Sequence, residues 1–162
     1  MPALPLRDSL DAEAVPLAPR ELSLLARAAV VRSPPVRLLA TRHSVAAGDD
    51  VDAPHLLEMD GPAGEDLEAA IATIVGSGYL PHVSGGRATW SVSSGRVLAV
   101  VAQEWPAPRM LWGVDRSYRG LDIVRGTLRL HFSYHAQHSP ELVLDVLGHL
   151  RLRANTDGPE SP

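Results

Sequence analysis

His131, His135 and His138 stand four and three residues apart, and neutral imidazoles at close spacing are good ligands for zinc, copper or nickel. A small metal-dependent enzyme built on these three rings is one reading of the chain. Their placement argues against it. His131 and His135 project alike only if one strand carries both, His138 lies in the loop before Pro140, and His149 shares the outer face of a later helix with Asp145. Histidines bordering the wet end of a strand give the same pattern with no metal, so no metal ligand is assigned. A nucleophilic triad can be assembled from Ser133, His135 and either Asp122 or Glu104, but no G-x-S-x-G elbow or comparable setting surrounds the serine. Gly76-Ser77-Gly78 and Ser84-Gly85-Gly86 lack the preceding strand and following helix of a phosphate-binding loop, and read as turns. The acidic run from Asp49 to Asp60 does not follow the alternating ligands and closing glutamate of a calcium loop, and reads as a solvated loop. The chain is therefore read as non-catalytic, with no cofactor implied.

A second constellation is better populated. Trp105, Arg109, Trp112, Arg116, Tyr118, Arg119, Arg129 and His131, with Arg125 among them, combine guanidinium forks with aromatic rings. Arginine grips carboxylate and phosphate in bidentate fashion, and aromatic rings stack on bases or guanidinium groups, so the mixture suits an anionic ligand. It equally suits a protein interface, where tryptophan, tyrosine and arginine are the usual anchors. A protein partner or self-association is the preferred reading, and nucleic acid or another polyanion on the same arginines is the alternative. Against nucleic acid stand a net charge of −4 and an aromatic content of 4%. A bland explanation covers the same residues: arginines solvating an exposed sheet face and tryptophans filling the core.

Charge is segregated along the chain. Eight acids and no arginine lie between Asp49 and Glu68, whereas Arg109 to His131 holds five arginines against two acids. One segment could meet the other across a partner or a second copy and steer association. Lysine is absent, which excludes a lysine Schiff base and a Walker-type phosphate lysine, and the arginine and alanine excess suits a GC-rich bacterial genome. Cysteine is absent too, which excludes disulfides, thiolate metal sites and a cysteine nucleophile and makes the cytoplasm the expected compartment. Met1 to Leu10 lacks the basic and apolar regions of a signal peptide, and no apolar stretch approaches the roughly 20 residues needed to cross a bilayer, so no membrane contact is expected.

Period and punctuation predict the elements that position these residues. With 162 residues, 45% apolar and 21% charged, the chain has the size and composition of one globular domain. We expect a flexible lead-in over 1–16, a single α+β domain over 17–153 and a disordered tail over 154–162. Pro19 precedes Leu22, Leu25, Ala26 and Ala29 on one helical face, and Ser33-Pro34-Pro35 stops that helix. Val36–Arg42 and His55–Met59 predict strands on either side of an acidic loop, Ser44–Pro54. Asp60-Gly61-Pro62 opens a second helix, whose stripe is Leu67, Ala70, Ile71, Ile74 and Val75 and which Gly76 and Gly78 close. Thr89–Ser93 and Arg96–Trp105 predict a hairpin about a two-residue Ser94-Gly95 turn, with Val97–Ala102 as an unbroken apolar run buried on both faces. Arg109–Val114 resumes as strand, and Arg116–Gly120 is a turn. Leu128, Leu130, Phe132 and Tyr134 alternate with Thr127, Arg129, His131 and Ser133, giving one buried and one wet face. Ser139 caps and Pro140 opens a final helix, with Leu142, Val143, Val146, Leu147 and Leu150 turned inward. The sum is an α+β fold: a mainly antiparallel sheet of about five strands, with two or three helices packed on one face. This order resembles that of small dimerising or adaptor modules, the roadblock type among them, which implies association as the role without any residue motif to carry it.

Overall fold

The computed structural model describes residues 35–45, 47–50 and 54–156. The expected lead-in, the first helix after Pro19 and the chain beyond 156 lie outside the described residues. In order come β1 (Arg37–Arg42), α1 (Ala47–Asp50), β2 (Leu56–Asp60), α2 (Leu67–Gly76), β3 (Thr89–Ser93), β4 (Val97–Ala102), β5 (Arg109–Met110), β6 (Ile123–Val124), β7 (Thr127–Tyr134) and α3 (Pro140–Thr156). The α+β class holds. The sheet has seven strands in the order β2-β1-β7-β3-β4-β5, with β6 also on β7. It is mixed, because β1 and β7 run parallel while the other pairs run antiparallel. The strand count exceeds expectation because the two-residue β6, too short to show a period, joins the sheet, while the strand expected over Arg109–Val114 shortens to the two residues of β5.

Alternation along the strands sorts the core into two layers. Leu38 and Ala40 of β1, Trp90 and Val92 of β3, Ala99 and Val101 of β4, and Leu128, Leu130 and Phe132 of β7 form one cluster, on which α2 lays Leu67, Ala70, Ile71 and Ile74. Each such fully buried large side chain stabilises the fold by about 1.5–3 kcal/mol. Asp66 caps α2, its carboxylate accepting from the Ala69 N–H at 3.1 Å, and Gly78 takes the left-handed conformation just past the end. The helix thus begins at Leu67, not at Asp60-Gly61-Pro62.

α3 covers the opposite face. Its Val143 packs on Val100 and Leu111, with Leu144 and Leu147 beside it, and Val100 alternates with Ala99 and Val101. The helices therefore do not share one face, for a reason visible in β4: a strand apolar on both sides needs a cover on each. The inward side of α3 also differs from expectation. Val143, Leu144 and Leu147 pack down and Arg151 donates to the Val97 and Gly113 carbonyls at 3.1 and 3.2 Å, while Leu142, Val146 and Leu150 are exposed. Two neighbouring helical faces both carry leucine or valine at four-residue spacing, and period alone does not choose between them.

Smaller differences follow from local hydrogen bonding. The Ser94–Arg96 connection has three residues and a register shift at Val92/Ser93, Gly95 supplying the positive φ. β4 stops at Ala102, β5 spans only Arg109–Met110, the acidic loop contains the single turn α1, and α3 continues through Thr156, so 154–156 are helical. Among the described residues, no helix is long and apolar enough to cross a membrane.

Candidate functional site

The eight interface candidates fall in three places. Trp105, Arg109 and Trp112 lie at the β5 edge. Pro106 and Pro108 break the chain after β4, Leu111 donates its N–H to the Leu98 carbonyl at 2.9 Å, and Gly113 at φ 70° follows, which turns Trp112 outward. The Arg109 guanidinium lies 3.9 Å above the Trp105 ring, whose Nε1 donates to Glu141 Oε1 at 3.3 Å. Between this edge and α3 runs a groove of about 550 Å3 floored by Met110, Leu111, Leu144 and Gly148, with Glu141 and Asp145 along the helix. Its own backbone N–H and the Ser139 hydroxyl hold the Glu141 carboxyl below the usual carboxylate range, with Trp105 and Arg109 adding to the effect. Trp112, at the rim, is 81% exposed.

Arg116 and Tyr118 brace the start of α2 instead, and Arg119 lies in the same turn without reaching it. Arg116 Nη1 pairs with Glu68 Oε2 at 2.7 Å, and its carbonyl accepts from the Leu67 N–H at 2.7 Å. Tyr118, expected on a binding surface, is 5% exposed within the core, where burial pushes its hydroxyl pKa up and the Asp66 and Glu65 charges add to the shift. An aromatic ring in a turn can dip into the nearest apolar layer, here the one under α2. Arg119 is exposed, and its carbonyl accepts from Arg96 Nη2 at 3.4 Å.

Arg129 and His131 occupy the wet side of β7, as the alternation requires. His131 Nδ1 and Thr41 Oγ1 share a 2.8 Å hydrogen bond across the parallel pair, and His43 meets the ring edge-on at 4.9 Å. Burial, then the nearby His43 charge, pushes the His131 pKa down. The His135 pKa is lowered by burial, then by His138 and His43, and His135 Nε2 bonds Ser91 Oγ at 2.8 Å, not Ser133. Among the described residues, no three His, Asp or Glu side chains come together in metal-ligating geometry. The triad is not assembled among the described residues, because the His135 ring is turned to Ser91.

Acids and arginines that are separate in sequence meet within the molecule. Arg42 Nη1 lies 2.6 Å from Asp50 Oδ1, Arg37 Nη2 lies 3.5 Å from Glu58 Oε2, and Arg116 takes Glu68. The acidic segment is thus not left whole for a partner. His55 Nε2 completes the Arg42–Asp50 cluster at 3.1 Å from Asp50 Oδ2, and Arg42 Nε donates to the Pro54 carbonyl at 3.0 Å. The sequence reading did not single out Arg42, although the alternation Leu38, Ala40, Arg42 points it inward. Compared with protein-family models, curated proteins and solved structures, the chain matches none.

Proposed function

We propose that this chain is a non-catalytic, adaptor-type binding module that takes a protein segment in the groove between α3 and the β5 edge. The observation that carries the reading is Trp112, 81% exposed at the rim of an apolar groove. Exposed apolar surface gathered around a tryptophan marks interaction sites more often than chance exposure does. Glu141 and Asp145 beside that surface favour a partner whose apolar side chains are flanked by basic ones. A second copy of the chain is the other form of the same proposal, since a two-fold dimer uses one patch twice. Of the interface candidates, Trp105, Arg109 and Trp112 belong to this surface. Nucleic acid on the full arginine set has less support, because those arginines are dispersed over three places and Arg116 among them is engaged by Glu68. A metal-dependent enzyme on His131, His135 and His138 has less again, since His131 and His135 turn to different hydroxyls. We propose the cytoplasm as the compartment, on the absence of cysteine.

The test is to purify the tagged chain from its host beside Trp112→Ala, with nuclease treatment and at two salt concentrations, and to identify what travels with each. The wild type is expected to retain a stoichiometric protein partner or copy of itself, and Trp112→Ala to lose it by about tenfold or more while its thermal midpoint stays in place. Equal retention by the variant, or recovery only of nuclease-sensitive material that salt removes, would sink the proposal.

A further inference from the structure

We infer that a second site, independent of the α3 groove, binds a phosphomonoester dianion between Arg37, Arg125 and Arg129. The backbone brings these residues together. Arg37 of β1 stands opposite Thr127 of β7 in the parallel pair, and Leu39 opposite Arg129, so Arg37, Thr127 and Arg129 share the wet face of the sheet. Arg125 sits at the tip of the β6–β7 hairpin, two residues before Thr127. All three arginines line one cavity of about 430 Å3, with Glu58 as its acidic member and Leu39 and Val124 as its apolar walls.

Two features single out this cluster. The first is its unspent charge. Among the described residues, no carboxylate lies within ion-pair distance of Arg125 or Arg129, and Arg37 meets Glu58 at 3.5 Å with both side chains more than half exposed, a pairing that costs little to loosen. The cavity wall carries three guanidinium groups against one carboxylate, a surplus matched to a dianion. The second feature is the turn. Val124 pairs with Thr127, and Arg125 and Gly126 between them both have positive φ, 52° and 78°. That is the two-residue hairpin turn whose first central position favours asparagine, aspartate or glycine, and a long β-carbon-bearing side chain there is strained. Arginine in that position adds a third guanidinium to the cavity lining, where a better turn former would add none.

Guanidinium forks match the oxygens of a phosphate group, and the Thr127 hydroxyl can add a further hydrogen bond. The volume exceeds what a phosphate ion fills and falls within the range of small-ligand sites, and Leu39 and Val124 offer contact to an organic remainder. These proportions favour a small phosphomonoester over a nucleic-acid strand, whose backbone needs a continuing basic track.

Isothermal titration of the full chain with phenyl phosphate tests this, with benzoate as a singly charged control and a single-stranded oligonucleotide at two salt concentrations. We expect one saturable phenyl phosphate site, weakened about tenfold or more by Arg125→Asn and by Arg129→Gln, and unchanged by Trp112→Ala. Arg125→Asn suits the left-handed turn, so its thermal midpoint should equal or exceed that of the wild type and separate lost binding from lost folding. The inference is overturned if phenyl phosphate does not saturate, if Arg125→Asn binds it as the wild type does, or if benzoate binds as tightly. Tighter, steeply salt-dependent oligonucleotide binding overturns it as well.

Discussion

Arg42 has no exposed side-chain surface, and the carboxylate that answers it, on Asp50, keeps only 14% of its own. Burial raises the Asp50 pKa, but the hydrogen bond and charge of Arg42, then His55 and the Val45 backbone, outweigh it, so the pKa lies below its ordinary value. Removing one member of such a pair strands the other. Arg42→Ala should therefore lower the urea midpoint, whereas charge removal at exposed Arg119 should shift it little. At this scale the sequence was partly legible. The inward position of Arg42 follows from Leu38 and Ala40 two and four residues before it, but its partner depends on how the following acidic loop folds back, and no local pattern specifies that. Tyr118 shows the converse, a residue typical of interfaces that the core claims because a buried layer lies within its reach.

The elements with strong internal period were the readable ones: β7 with its clean alternation, the β3–β4 hairpin, and the apolar stripe of α2. The N-terminus of α3 belongs with them. Ser139 Oγ accepts from the Leu142 N–H at 3.4 Å and donates to Glu141 Oε2 at 3.0 Å, as a capping serine before Pro140 should. Ser139→Ala is expected to lower stability by about 1 kcal/mol, seen in the denaturant midpoint with an unchanged slope. Along the same helix, reading failed where two faces compete. Leu142, Val146 and Leu150 have as good a spacing as Val143 and Leu147, and β4 decides between them by accepting Val143 onto Val100. The short strand β6 was invisible for a different reason: it exists through its neighbour in the sheet and carries no pattern of its own, while β5 was read too long, as Arg109–Val114.

For the whole molecule, the lowered pKa values of His131 and His135 set a direction for stability against pH. The unfolded chain holds these protons with a pKa near 6.5, roughly the unperturbed histidine value, while the folded chain holds them less tightly. Between the two values the unfolded state binds more protons, so stability is complete above that pH and declines as pH falls toward the folded values. The urea midpoint should drop between pH 7.5 and pH 5.5, and a His131→Gln, His135→Gln variant should drop less; an equal fall in both would refute the assignment. Fold class was legible at this scale and topology was not, because the central parallel pair joins residues 90 positions apart in the chain. That separation imposes an order on biosynthesis. At a translation rate of roughly 5–20 residues per second, β1 leaves the ribosome about 5–20 s before β7 can. Until then its side toward the future centre of the sheet is an unpaired edge carrying Leu38 and Ala40, able to pair with another nascent chain. The time taken to read residues 43–134 therefore sets how long that edge stays open, and exposure to co-translational aggregation is expected to scale with it.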